Sequence, residues 1–219
     1  MRAAGQVTTR QLDFEKVLNA HATHEDTYAA VLDPLVVGTA HGVNCALLCV
    51  GAVGTGKSYA LYGDGAYSKD LLAIPREQWG LVMRAAEHLL RTHAPATLSG
   101  PLAAAGGLEG DGSSLHISYV QVDGDECTDL LEVGGAPLEL HLAGLEGGPH
   151  LAPTQLRLRT LDDAARALKM GLRNRARGLL APRSHTILTF TLRRLLPEDT
   201  VSGGHGSTAS VGSGGGGGG

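Results

Sequence analysis

The sequence predicts an α/β fold, a three-layer sandwich in which helices cover a sheet, and three observations support it. The run from Gly51 to Ser58 fits the pattern Gly-x-x-x-x-Gly-Lys-Ser/Thr. The apolar run from Cys45 to Val50 comes directly before it and has the length of a buried strand. Residues 58–62 follow and can begin a helix. Strand, loop and helix therefore occur in the order that this pattern requires.

The loop is the candidate phosphate-binding site of a P-loop NTPase-type fold. Its glycines let the backbone turn tightly, so that N–H groups converge on phosphate oxygens. Lys57 would reach the β- and γ-phosphates, and the Ser58 hydroxyl would ligate Mg²⁺. A chance match is the alternative, because the chain has 32 glycines, but the strand before the loop and the helix after it argue against chance. The predicted binding residues are Gly51, Ala52, Val53, Gly54, Thr55, Gly56, Lys57, Ser58 and Tyr59.

The elements of the first half follow from capping and periodicity. Thr23-x-x-Asp26 resembles a capping box and predicts a helix to about Val37, which kinks or restarts at Pro34. The strand before the phosphate loop then covers residues 44–50. Gly80 precedes a predicted helix over residues 81–93. Residues 94–114, rich in Pro, Gly, Ala and Ser, are predicted to be a long surface loop inserted into the domain.

The second half alternates strands with one helix. Partial alternation predicts a strand at 115–122 and clean alternation predicts one at 186–192. Turn residues between 134 and 153 suggest a short hairpin around 138–142. Leu156 and Leu158 alternate with Arg157 and Arg159, which is typical of a one-sided strand. The next helix is predicted to begin after Thr160 as its cap, with acidic residues in its first turn.

Composition limits the class of protein. Hydrophobic residues make up 42% of the chain and aromatic residues only 4%, so one globular domain would depend on Leu, Val and Ala for its core. No apolar run approaches the roughly 18 residues of a membrane span, and the first residues lack the apolar centre of a signal peptide. Three cysteines show no metal-ligand spacing and favour a reducing compartment, with Cys45 and Cys49 expected in the core. We therefore expect no membrane, nucleic-acid or zinc partner.

Eight further segments flank the loop in a recognisable order. They are 12–18 (LDFEKVL), 23–28 (THEDTY), 33–36 (DPLV), 42–44 (GVN), 80–87 (GLVMRAAE), 118–122 (SYVQV) with 129–131 (DLL), 171–175 (GLRNR) and 183–187 (RSHTI). In this order and at about these distances they resemble the kinesin motor domain, over residues 12 to 194. The resemblance implies a microtubule-stimulated ATPase fold, with Tyr59 at the position whose ring packs on adenine.

The sequence also departs from the pattern of that family. The family's first switch reads Asn-x-x-Ser-Ser-Arg-Ser-His, whereas here Ala181 and Pro182 precede Arg183, Ser184 and His185. Those serines help to hold Mg²⁺ and the attacking water in the family. The first strand, with its Arg-x-Arg-Pro motif, and the second switch, Asp-x-x-Gly-x-Glu, are not found here. We therefore expect weak nucleotide binding and little hydrolysis, and leave open whether the chain is an enzyme.

The resemblance gives the expected organisation and partners. We expect a flexible leader at 1–11, a partial motor-like domain at 12–196 and a disordered Gly/Ser tail at 197–219. Residues 157–194 carry ten Lys or Arg and two Asp. Such a block can be merely a solvated face, but with the resemblance it favours an acidic partner. Arg157 and Arg159 are the candidates for microtubule contact in a cytoplasmic, cytoskeletal protein, although edge-strand arginines also simply discourage aggregation. A non-catalytic nucleotide- or microtubule-binding module and an unrelated P-loop kinase or GTPase are the alternatives.

Overall fold

The computed structural model describes residues 11–64, 70–92, 113–139, 141–142, 149–150, 152–177 and 184–194. It has the predicted α/β composition. The helices are α1 (His24–Val31), α2 (Asp33–Ala40), α3 (Lys57–Tyr62), α4 (Leu81–Thr92) and α5 (Leu161–Arg177). The strands are β1 (Ser114–Asp123), β2 (Glu126–Asp129), β3 (Ala136–Leu138), β4 (His141–Leu142), β5 (Pro149–His150), β6 (Leu156–Leu158) and β7 (His185–Arg193).

Strand β1 is the centre of an antiparallel sheet. It pairs with β7 along nearly its whole length, from Ser114 opposite Arg193 to Val122 opposite His185. Because β7 occupies one edge of β1 throughout, β6 and β2 share the other edge, β6 near the start of β1 and β2 near its end. Strand β3 extends the sheet beyond β2, while β4 and β5 form a separate two-stranded ladder.

The main core lies where one face of β1 meets the helices. Leu115, Ile117 and Tyr119 alternate along β1 and are almost fully buried with residues of α4 and α5. Helix α5 approaches this face closely because Gly171 has no side chain: a Cβ there would lie 2.7 Å from Cε1 of Tyr119. The Tyr119 hydroxyl is 2.7 Å from the Tyr62 hydroxyl, so a buried hydrogen bond connects the end of α3 to the sheet.

The backbone makes a second close approach where α3 ends. Gly63, with φ of 83°, forms a β-bridge with Trp79, and a Cβ on Gly63 would lie 2.6 Å from the backbone nitrogen of Gly80. Leu81, the first residue of α4, follows at once. The end of α3 and the start of α4 are therefore in direct backbone contact.

Local sequence signals set the helix boundaries as predicted. The Thr23 hydroxyl accepts a hydrogen bond from the Asp26 backbone N–H, and the Asp26 carboxylate accepts one from the Thr23 N–H, which completes the capping box. The predicted helix is divided at Leu32, and Pro34 lies in the first turn of α2, where its missing N–H costs nothing. Thr160 and Asp163 form the same reciprocal pair at the start of α5.

The strand predicted over residues 44–50 is wrong. Residues 43–52 form no helix or strand, residues 43–48 are exposed, Cys45 is exposed and Cys49 is only partly buried, so neither cysteine lies in the core. A strand needs a neighbour for its backbone N–H and C=O groups, and no described strand pairs with this segment. The predicted leader and tail, and most of the 94–114 loop, lie outside the described residues.

An apolar cleft of about 540 Å³ separates that segment from β7. Its walls come from residues 45–48, from α2 and α4, and from Thr186 to Phe190 of β7. Ile187 is 52% exposed and Leu48 84% exposed, so two large apolar side chains of the cleft lining are open to solvent. Within the described part of the chain, the edge of β7 that faces away from β1 has no partner strand.

Candidate functional site

The phosphate loop lies on the surface between the exposed segment 43–50 and α3. Residues 51–56 are exposed, while Lys57 and Ser58 are partly buried at the first turn of α3. Gly54 and Gly56 adopt φ values of 83° and 90°, a region that other residues rarely enter. A side chain at Gly51 would meet the Thr55 hydroxyl, with Oγ1 only 2.7 Å from the position of Cβ. The glycines of the motif therefore stand where the turn requires them.

The side chain of Lys57 bonds back to the start of the same loop. Its Nζ donates hydrogen bonds to the carbonyl oxygens of Gly51, at 2.8 Å, and Ala52, at 2.6 Å. The Thr55 hydroxyl donates to the same Ala52 carbonyl at 2.9 Å. Burial raises the pKa of the nearby Cys49 thiol, and the positive charge of Lys57 opposes that rise. The ammonium group is thus held across the mouth of the loop.

The donor set fits a magnesium nucleotide. Exposed backbone N–H groups and an ammonium group suit phosphate oxygens, and a hydroxyl is a suitable oxygen ligand for Mg²⁺. Ser58 lies in the first turn of α3, next to Lys57, where its hydroxyl could serve as such a ligand. No group of three or more His, Cys, Asp or Glu that could hold a metal ion by itself occurs in the described ranges.

Tyr59 lies two residues beyond Lys57 and has a ring partner that the sequence did not predict. The residue is 58% exposed, and the imidazole of His24 packs against its ring with centroids 4.6 Å apart and planes inclined by 42°. Burial lowers the pKa of His24, and the positive charge of Arg84 lowers it further. The two residues are far apart in the chain, and no spacing rule connects a helix-capping segment with a phosphate loop.

The residues of the altered first switch are only partly described. Arg183 lies outside the described residues, while Ser184 and His185 come at the beginning of β7, with His185 opposite Val122 of β1. The structure therefore brings residues 51–59 together as one loop and helix start.

The two arginines of the predicted microtubule contact lie at the β6 end of the sheet. Arg157 is exposed in β6 opposite His116 of β1, and Arg159 is exposed just after the strand. The backbone N–H of Arg159 donates to Asp163 at the start of α5.

None of the helices in the described part of the chain could span a membrane.

Comparison with known proteins gives one consistent family. The family model of the kinesin motor domain matches residues 2–209. Human kinesin-like protein KIF7 is 29% identical over 200 residues, which cover 87% of this chain and 14% of that protein. The rice kinesin-like protein KIN-1 is 24% identical over 190 residues, 83% of this chain and 36% of that protein. The chain thus spans only a minor part of the length of these relatives.

Solved structures agree on the fold. A fast kinesin gives a TM-score of 0.66 at 18% identity, over 83% of this chain and 48% of that chain. The Drosophila kinesin family member NOD in complex with AMPPNP gives a TM-score of 0.55 at 23% identity, over 80% of this chain and 51% of that chain. A further NOD structure, docked with bovine tubulin into a map of NOD bound to the microtubule, gives the same TM-score of 0.55.

Proposed function

Because the chain belongs to the kinesin motor-domain family, we propose that residues 51–58 bind the phosphates of Mg·ATP in a microtubule-associated protein. The observation that carries the proposal is the loop itself: the glycine torsions and the position of Lys57 suit a phosphate cradle. In this arrangement the loop N–H groups and Lys57 neutralise phosphate charge. Ser58 would ligate Mg²⁺, which would supply positive charge to neutralise the phosphates.

We propose that hydrolysis is slow in this chain. Phosphoryl transfer needs the metal and a positioned attacking water together. Ala181 and Pro182 stand where the resemblance places two serines that help to hold both, and neither residue carries a hydroxyl. The proposed activity is therefore nucleotide binding with little turnover, as in a non-catalytic module, and the family match disfavours an unrelated P-loop kinase or GTPase.

We propose that microtubules are the macromolecular partner, in the cytoplasm and on the cytoskeleton. The support is family membership together with the exposed Arg157 and Arg159 in a strongly basic segment. Basic side chains attract an acidic surface such as that of a microtubule.

The first experiment titrates a fluorescent ATP analogue with Mg²⁺ into the chain and into Lys57→Ala. We expect saturable binding in the wild type and at least about a tenfold loss in the variant, because the ammonium group contributes charge-assisted hydrogen bonds. Lys16→Ala is the matched control, since Lys16 is exposed and lies outside the loop.

Two outcomes would contradict the proposal. Absence of binding in the wild type would remove nucleotide from the function altogether. The second outcome is ATP hydrolysis, measured as phosphate release in the presence of microtubules, at the turnover of ordinary enzymes, ~1–1000 per second. That result would show that the missing serine hydroxyls are not needed and that hydrolysis is intact.

A further inference from the structure

The His24–Tyr59 pair places a second ring beside the phosphate loop. His24 is the first residue of α1, and Tyr59 is the third residue of α3. The distance of 4.6 Å between their centroids is within the range of favourable ring contacts. Tyr59 is still 58% exposed after this contact, so the residue remains accessible to a ligand.

His24 has little freedom to move away from that position. The capping box of Thr23 and Asp26 fixes the turn on which His24 stands, and hydrogen bonds from Thr23 lower the pKa of Asp26, which keeps it ionised. Glu25, the next residue, forms an ion pair with Arg84, whose side chain is 2% exposed. Contacts on both sides therefore hold the start of α1 against the core.

One nitrogen of the His24 imidazole makes no hydrogen bond. This atom, Nε2, is buried and has no hydrogen-bond partner in the described part of the chain. This nitrogen therefore does not hold the ring in place, and the contact with Tyr59 depends on the ring itself, which a phenyl group can also supply. Because burial lowers its pKa, the ring is largely neutral at pH 7 and suited to packing against an aromatic face.

We propose that His24 is a positioning residue for the base of the bound nucleotide. It supports one side of the Tyr59 ring and thereby holds the exposed part of that ring against an aromatic base, while the loop holds the phosphates. This inference rests on the proposed nucleotide binding and assigns base recognition to α1, an element outside the phosphate motif.

The test separates the base from the phosphates with two ligands, Mg·ATP and inorganic triphosphate with Mg²⁺, measured by titration calorimetry. We expect His24→Ala to weaken Mg·ATP about three- to tenfold, the range for one aromatic contact, and to leave triphosphate unchanged. His24→Phe should restore Mg·ATP binding because it restores a ring. His21→Ala is the matched control, an exposed histidine ahead of the same helix.

A double variant tests whether His24 acts through Tyr59. Tyr59→Ala should weaken Mg·ATP, and adding His24→Ala should weaken it no further, because the ring to be positioned is already gone. An equal loss for ATP and triphosphate in His24→Ala would mean a purely structural role and would overturn the inference. Equal affinity of the wild type for both ligands would also overturn it while leaving the phosphate loop intact. Failure to bind either ligand would overturn the proposed function as well.

Discussion

Lys57 has two uses that compete with each other. Its ammonium group donates to the carbonyl oxygens of Gly51 and Ala52, and the proposed ligand would need the same donors. Phosphate must therefore replace two short hydrogen bonds before it gains the charge of Lys57. The sequence motif predicted the residue and its charge, but not this closed arrangement, because a motif specifies residue types and not the partners they choose.

The proposed roles of Arg157 and Arg159 can be tested by reversing their charge. We expect Arg157→Glu/Arg159→Glu to weaken microtubule binding several-fold at low salt, because exposed charges act through long-range attraction that salt screens. Co-sedimentation with microtubules at two salt concentrations measures the effect.

The control for this pair is a charge reversal outside the basic segment. Arg91→Glu changes an exposed arginine at the end of α4 and should weaken binding less than the double reversal at Arg157 and Arg159. Unchanged binding of the double variant would leave the two arginines as ordinary protection of an edge strand.

Helix boundaries with local signals were predictable, whereas one strand expected from its apolar composition was not found. The capping residues Thr23 and Thr160 and the break near Pro34 are encoded within a few neighbouring residues, and the structure confirms them. The apolar run at 45–50 has the composition of a strand, but pairing depends on what lies beside it in space. The contact between His24 and Tyr59 was not predicted either, because it joins two segments that are distant in the sequence.

The close packing of α5 on β1 can be tested by adding a methyl group at Gly171. Gly171→Ala should destabilise the fold by about 1–3 kcal/mol, the usual cost of overpacking, although alanine is the better helix former. The added methyl group would meet the ring of Tyr119, which is fully buried. Urea unfolding of both proteins measures the difference.

Gly38→Ala in α2 is the matched control. Its new methyl group would lie 3.3 Å from Sγ of Cys45, an exposed side chain that can move. We expect this change to be neutral or stabilising by up to about 1 kcal/mol. If Gly171→Ala behaved in the same way, the close approach of α5 to β1 would be wrong.

The molecule as a whole has two contrasting sides around β1. One side is a packed core of helices on Leu115, Ile117 and Tyr119, whereas beyond β7 the described chain leaves an apolar cleft. Unpaired strand edges and exposed apolar side chains favour association between chains. Family membership and the α/β fold could be predicted from the sequence, but the openness of this side depends on the pairing of the whole sheet.

We therefore expect the isolated chain to self-associate as its concentration rises, and Leu48→Lys to reduce that association. Leu48 lines the cleft, and a charge there is costly to bury. Sedimentation velocity over a range of concentrations measures the self-association. Val133→Lys is the control, because Val133 is 91% exposed in the loop before β3. A monodisperse wild-type monomer with one cooperative thermal transition would contradict the prediction.

The backbone contact between Gly63 and Gly80 has a consequence for genetics. Neither position has room for a methyl group, because an added Cβ would meet the backbone of the opposite segment. Any missense change at either codon must push α3 and α4 apart, and α3 begins with Lys57. A random-mutagenesis screen for lost nucleotide binding should therefore recover these two codons alongside those of the loop, although neither glycine belongs to the phosphate motif.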